Sequence, residues 1–556
     1  MCSQITPVFD VLFTNGVFHT QDPERPTAHA VGVHQGRIVS LDEDLPATAF
    51  REVHDLGGAA VVPGFHGAHC HLTHIGQASM QIDLRPSAVS SMEELLAAVD
   101  AFAADAPEGS WVIGQGDDQN RLGEHPTAEQ LDEVSHGHPV YLIHNSRHIG
   151  VANTKAFEIA GFPERRDVPV PDGGAVPSSE SGQAEGLLQE TARSLVMDHI
   201  PANTAQDVAD MVAAGSEEVL KLGITSIVEP GIGAPDHIGM SRFDLAGFQI
   251  AQEQGRLGVR ATVMPYLTTL HRVGETEQEG HPLYTLDLGL RSGMGDDRLR
   301  IGPTKVLSDG SLIGRSAYMC CDYQADLDQG RENKGLLQFP ESDLRERLIG
   351  AHLAGWQLAI HAIGDAALDV VTDIIEEAQQ IRPRPDARHR LEHVSVASDD
   401  QIQRIAQLGL IPVPQGRFVQ ELGDGAAQAM GEEPIPLTYR VKAFLDAGIE
   451  IPGSTDAPVV SADPILNIAA LVNRQTSSGA DFVPAERITV EQAVRAYTVG
   501  SARAVHREAD LGTLSPGKLA DFVVLSEDLY TVPAEQIESV RVTATVVGGR
   551  LVAGSL

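Results

Sequence analysis

Positive charge is scarce in this chain. Its 556 residues carry 40 Lys and Arg against 77 Asp and Glu, a formal net charge of −37. A field of that sign repels nucleic-acid phosphates and anionic bilayers alike, so neither is expected as a partner. Cysteine is scarcer still. Cys2, Cys70, Cys320 and Cys321 include no CxxC pair, and the adjacent Cys320 and Cys321 cannot close an ordinary bridge. A disulfide scaffold is excluded, and a reducing, cytoplasmic setting is expected. No uncharged run approaches membrane-spanning length, and the opening residues MCSQITPVFDVLFTNG lack a basic segment followed by an apolar core. Aromatic residues make up only 4%, with Trp111 and Trp356 the two tryptophans, so long loops rather than aromatic walls are expected to shape any pocket.

What the chain does have is 42% hydrophobic and 21% charged residues, ordinary globular usage with ample material for a large core. The first sixty residues read as short strands: FDVLF, an Asn15-Gly16 hairpin turn, VFHT, AVGVHQGRIVSL and AAVV. The last fifty repeat that texture, with DFVVL, VTATVV and a Gly548-Gly549 hairpin into RLVAG. Between them, apolar runs alternate with stretches of helical period. The runs are YLIH (141–144), TSIVE (225–229), ATVMPYL (261–267), IGPTKVL (301–307), QLAIH (357–361) and IEIPGS (449–454). The helical stretches include SMEELLAAVDAFAA, AQDVADMVAAGSEEVLKLG, DAALDVVTDIIEEA and TVEQAVRAYTVGSARAV. Strand-helix alternation over this length predicts an α/β fold, a (β/α)8 TIM-type barrel over 61–507. The two ends, 1–60 and 508–556, are expected to pair into a small β-sandwich domain. Segments 163–186 and 272–298, rich in Pro, Gly and charge, read as loops at the barrel mouth.

The segment VVPGFHGAHCHLTH (61–74) carries the chemistry. With 59–71 read as a strand, His69 and His71 leave the same face about 7 Å apart and can share one metal ion. His136-Gly137-His138 has the same spacing in a polar loop before Pro139, so it is position, at the end of the first apolar strand after the β-rich segment, that favours the first pair. Lys305, His361, His393 and Asp456 end later apolar runs. Taken singly, each also reads as a paired lysine, a core histidine or an N-cap. In barrel order they form a set, and imidazoles with a carboxylate suit zinc. Asp309, Arg315 and Asp365 lie near the same strand ends, with loop capping and ion pairing as an equal reading.

The order HxH, Lys, His, His, Asp, with WVIGQGDDQ, LGITSIVEPG, KVLSDGSLIGRSA, AIHAIGDAALD, RLEHVSVAS and LGTLSPGKLADFVVLSEDLYTVP, resembles the amidohydrolase superfamily, in its family 3 branch, over almost the whole chain. The resemblance implies that His69, His71 and Asp456 bind one divalent metal ion and His361 and His393 a second, both zinc by ligand type. It implies that Lys305, carboxylated on its amine by CO2, bridges them, because a carbamate offers each cation an anionic oxygen where an ammonium would repel both. Hydrolysis of a carbon-nitrogen bond in a small-molecule amide is implied as well, through a hydroxide bridging the metals, with Asp456 as catalytic proton shuttle and a deformylase-like preference for N-formyl groups. Cyclic amide hydrolysis or amino-heterocycle deamination on the same scaffold is the alternative, and a non-catalytic scaffold is disfavoured by the intact ligand set. His148, in NSRHIGVAN, and Arg417, in VPQGRF where relatives carry histidine, are the expected substrate contacts. Asp117 stands where relatives carry tryptophan. A homodimer is the family-level expectation.

Overall fold

The computed structural model describes residues 8–556 apart from 87, 147, 433 and 434, with the side chains of 43 and 274–277 outside the description. The chain divides into two compact units, one running to Ile75 and resuming at Thr204, the other made of Gly76–Asn203.

The larger unit contains two four-stranded parallel sheets. One holds β1 (Phe65–Gly67), β2 (Ile224–Ile232), β3 (Arg260–Pro265) and β4 (Leu299–Ile301), in the order β4-β3-β2-β1. The other holds β5 (Thr304–Leu307), β6 (Leu358–Ala362), β7 (Arg390–His393) and β8 (Ile411–Val413), in the order β5-β6-β7-β8. All nine residues of β2 are buried, as parallel strands covered on both faces require. Helices α1 (Leu72–Ser79), α2 (Ala205–Lys221) and α3 (Asp365–Ile381) follow strands in the chain or lead into them. Thr204 and Asp207 close a reciprocal capping box at the start of α2. On α3 the residues Leu368, Val371, Ile375 and Ala378 are buried, at the spacing of one helical stripe.

The chain ends form two further sheets. One runs Arg37–Leu41, Val31–His34, Phe9–Thr14, Phe50–Asp55; the other runs Arg550–Gly554, Val542–Val547, Phe522–Leu525, Ala60–Pro63, Val17–His19, Thr27–Ala28. Phe13, Val33 and Ile38 from the first share one buried apolar cluster with Phe18, Phe522 and Val546 from the second. The Gly548-Gly549 hairpin forms as expected, pairing Val547 with Arg550 and holding both glycines at positive φ.

Several expectations are corrected. The Asn15-Gly16 turn forms, with Asn15 at φ 54°, but it joins no hairpin. Phe9–Thr14 pairs with Val31–His34 and Phe50–Asp55, while Val17–His19 pairs with Ala60–Pro63 and Thr27–Ala28, so the turn carries the chain from one sheet to the other. The strand expected over 59–71 is broken at Gly64 and ends at Gly67. The IEIPGS run contributes a single bridge, Ser454 to Gln415, and no strand. YLIH belongs to the smaller unit, as Val140–His144 of a six-stranded sheet ordered Gly174–Ala175, Leu187–Glu190, Ile149–Ala152, Val140–His144, Val112–Asp117, Ile82–Asp83. Segment 163–186 lies in that unit too. Segment 272–298 carries most of an antiparallel hairpin, His271–Gln278 with His281–Thr285. Its end meets the start of β3, where Ala261 N donates to Arg298 O at 2.8 Å. Cys70 is buried and Cys320 and Cys321 are exposed, all three as free thiols; Cys2 lies outside the described residues. No helix among the described residues is long and apolar enough to cross a membrane.

Candidate metal centre

The pair His69 and His71 sits in the loop between β1 and α1, held there by backbone bonds that replace the expected strand. Ala68 N donates to Gly453 O, Cys70 N to Val228 O, His71 N to Ala457 O, and Asp456 N returns to His69 O, all at 2.9–3.1 Å. Segments 68–71 and 453–457 are thus laced together, which sets Asp456 Oδ1 3.1 Å from His71 Nε2 and 3.4 Å from His69 Nε2. One ligand atom from each of the three lies within 4.8 Å of the others, close enough to share one ion. Tyr497 supports the second segment from behind, donating its hydroxyl to Ser454 O at 2.7 Å.

The other expected residues gather around this trio. The imidazole centroids form a chain: His71 to His69 at 5.4 Å, His69 to His393 at 5.0 Å, and His393 to His361 at 4.5 Å. Lys305, on β5, is buried, and its Nζ has no hydrogen-bond partner. Burial pulls its pKa down to about 8, against the opposing pull of Glu392 and Asp456. His69, His361 and His393 are kept neutral by burial first and by their cationic neighbours second, with His361 pulled down to about 3. A neutral imidazole is the metal-binding form. Backbone strain marks the same place. His393, Val394 and Asp456 have φ of 76°, 44° and 57°, left-handed geometry that costs a non-glycine residue free energy and concentrates at functional sites.

Three residues that sequence reasoning missed orient the candidate imidazoles. Glu392 Oε2 accepts from His69 Nδ1 at 2.5 Å, and Arg390 holds that carboxylate through Nε at 2.8 Å and Nη2 at 3.0 Å. With Nδ1 protonated, the lone pair of His69 is on Nε2, facing Asp456. Gln415 does the same for His393. Its Oε1 accepts from Nδ1 at 2.8 Å, while its Nε2 donates to Val413 O and Ser454 Oγ, which fixes the amide orientation. A signal was present for Arg390 and Glu392: two charges at alternate positions of an apolar strand, hence on one face.

The remaining candidates have other duties. Asp309 accepts from the backbone N–H groups of Ile363, Gly364 and Tyr318 at 2.8–3.1 Å, and burial pushes its pKa up to about 7. Arg315 pairs with Asp326 at 3.0 Å, and Asp365 accepts from Cys320 N and Ala366 N. Arg315 and Asp365 are loop anchors; Asp309 Oδ1 also stands 3.4 Å from His361 Nε2 and lines a cavity with it. Arg417 immediately precedes α4 (Phe418–Met430), with its guanidinium on Glu421 at 2.9 Å and Glu538 at 3.1 Å. His148 belongs to the smaller unit, is exposed, and pairs with Glu190 at 2.9 Å. Asp117 is buried there with no hydrogen-bond partner for its carboxylate oxygens, and its pKa is raised by burial. A cavity of about 410 Å³ opens on His361, His393 and Asp456. Leu312, Ile313, Ile363, Phe418, Leu422 and Val459 make its apolar wall, and Phe418 stacks on His393 at 6.1 Å with rings 6° from parallel.

The chain is 31% identical to Protein LONG AFTER FAR-RED 3 of Arabidopsis thaliana, across 98% of this chain and 91% of that protein. It is 27% identical to an N-substituted formamide deformylase of Arthrobacter pascens, across 98% and 99%. The crystal structure of a metal-dependent hydrolase from Pyrococcus horikoshii OT3 superposes with a TM-score of 0.74 at 25% identity, covering 94% of this chain and 99% of that one. A family model matches residues 52–553, a span that takes in all six metal-capable side chains and the strands that hold them. The chain belongs to the amidohydrolase family, whose fold and metal-dependent hydrolysis of non-peptide carbon-nitrogen bonds it shares.

Proposed function

We propose that this enzyme hydrolyses a neutral, non-peptidic amide, with an N-formyl group as the preferred acyl part, at a centre of two divalent metal ions, zinc by ligand type. The observation that carries the reading is Lys305: a wholly buried amine with no partner, among four imidazoles and Asp456. An amine left so costs free energy unless its charge is removed or matched. A lowered pKa leaves it more often neutral and able to add CO2. His69, His71 and Asp456 would hold one ion, His361 and His393 the other, and the Lys305 carbamate both. The parallel strands are read as one barrel over 61–507 and the terminal sheets as a β-sandwich. When bound, such ions lower the pKa of water towards about 7 and polarise a carbonyl.

The side chains of the chain do the rest. Glu392 and Gln415 keep the His69 and His393 tautomers that leave Nε2 free. Asp456 accepts the proton of the attacking water on a carboxylate oxygen and delivers it to the leaving nitrogen, which would otherwise depart as a poor amide anion. The apolar wall of Leu312, Ile313, Phe418 and Val459 favours an uncharged substrate and keeps bulk water out. The deformylase of Arthrobacter pascens motivates the formyl preference. Metal content and catalytic efficiency towards N-benzyl formamide, acetamide and propionamide test it. Two ions per chain and a fall in efficiency in that order are expected. Equal efficiencies, or turnover of a cyclic amide or aminopurine alone, would overturn it.

A further inference from the structure

A second cavity of the larger unit is lined by none of the metal-site residues. It is a crevice of about 1240 Å³ lined by five arginines, Arg51, Arg260, Arg298, Arg300 and Arg550. In a chain where acids outnumber bases 77 to 40, that gathering needs a partner. Of the acidic side chains lining the same crevice, Asp10, Asp296 and Asp297 are already engaged. Asp10 holds Gln35 N at 2.7 Å and Arg51 at 3.1 Å, and Glu52 faces His54 at 3.8 Å. Asp296 caps the backbone N–H groups of Arg298 and Leu299, and Asp297 pairs with Arg37 at 2.7 Å. Arg260 is closed too, gripping Asp521 through Nε at 2.6 Å and Nη2 at 2.9 Å.

Three guanidiniums are left over. Among the described residues, Arg298, Arg300 and Arg550 have no carboxylate within 4 Å, although most arginines of the chain do. Arg298 reaches only Gly258 O, and Arg300 Nε is buried without a hydrogen bond. Burial, then Arg260 and less strongly Arg550 depress the pKa of Arg298, against the opposing pull of Asp521 and Asp296. Planar, bidentate guanidiniums are the side chains suited to oxyanions of phosphate or carboxylate type.

We propose that this crevice binds a small multivalent oxyanion, held by Arg298, Arg300 and Arg550. Arg298 immediately precedes β4, Arg300 is the middle residue of β4 and pairs with Thr262 of β3, and Arg550 opens the strand Arg550–Gly554. The ligand would therefore clamp the terminal sheets to the parallel strands. His361 and His393 sit at or next to the C-terminal ends of β6 and β7 and His69 and His71 follow β1, and none of the metal-site residues lines the crevice, so occupancy should raise thermal stability and leave turnover unchanged.

The test is thermal unfolding and calorimetric titration of the full-length, metal-loaded protein with inorganic phosphate and, separately, succinate, each against sodium chloride at matched ionic strength. A saturable, one-to-one effect of phosphate alone would mark a phosphate-bearing ligand, and of succinate alone a polycarboxylate; either supports the proposal. Arg550→Ser, at an exposed position, and Arg300→Gln should each weaken binding at least tenfold with unchanged kcat. An equal effect of sodium chloride, equal binding by both variants, or no saturable binding to the parent protein would overturn it.

Discussion

At the scale of the residue, the legible part of the candidate site was the set of metal-capable side chains and the illegible part was the set that orients them. His69, His71, Lys305, His361, His393 and Asp456 announce themselves as polar groups at the ends of apolar runs. Glu392 and Gln415 touch His69 and His393 from within strand β7 and just past β8, where a sequence shows only a charge or an amide in passing. The VPQGRF segment drew attention to Arg417, whereas Gln415, two residues earlier, is the one that meets His393. Glu392→Gln should weaken metal retention or activity by about 10- to 100-fold, the usual cost of losing such an outer partner. Metal content after dialysis, with kcat/KM beside it, is the measurement, and parent-like values for both would remove Glu392 from the design. Asp456→Asn keeps size but removes the proton acceptor, so kcat should drop by about 10² to 10⁴ in protein that still carries its metal. Near-normal turnover would assign the proton to another group.

Elements were easier to find in the sequence than their partners. The helical stretches at 91–104, 205–223 and 365–378 appear as Met92–Asp105, Ala205–Lys221 and Asp365–Ile381, because a 3.6-residue stripe is a local property. IEIPGS had the composition of a strand, yet its hydrogen bonds go to 68–71 and to the helix around Ala496, a long-range fact that no window of residues contains. One such long-range contact should contribute to acid stability. His352, on helix Glu341–Leu353, meets His389, just before β7, at 2.8 Å, and both rings are buried. His352 Nε2 donates to Arg382 O, and His389 Nδ1 accepts from Leu358 N, so the pair is a chain of neutral rings. Burial pulls His352 down from 6.5 to about 4 and His389 well below its ordinary value. The unfolded chain therefore takes up protons first, and the stability present above about pH 6.5 is lost as pH falls towards 4. Thermal midpoints between pH 8 and 4.5 should decline less steeply for His352→Gln than for the parent. Parallel curves would mean that the pair does not govern the slope.

For the molecule as a whole, the α/β alternation and the β-rich ends were both readable, but the two compact units were not: residues 76–203 have the same strand-helix texture as residues 204–507. The ends are joined to the parallel strands by the buried pair Arg260 and Asp521, with side chains 5% and 3% exposed. Arg260→Met would strand the carboxylate and should destabilise by about 3–5 kcal/mol, read from denaturant midpoints at constant slope; a loss under about 1 kcal/mol would show the pair to be peripheral. The stitching also sets a timetable. Ala60–Pro63 lies between Val17–His19 and Phe522–Leu525 in its sheet, so one edge of an early strand waits for a segment made near the end of synthesis. At roughly 5–20 residues per second, that edge stays open on the ribosome for tens of seconds, a standing invitation to strand-seeking neighbours. In a cell, newly made chains of this enzyme should lean on chaperones at their beginnings, and ribosomes stalled before Phe522 should yield protein that aggregates through its first sixty residues rather than through its catalytic core.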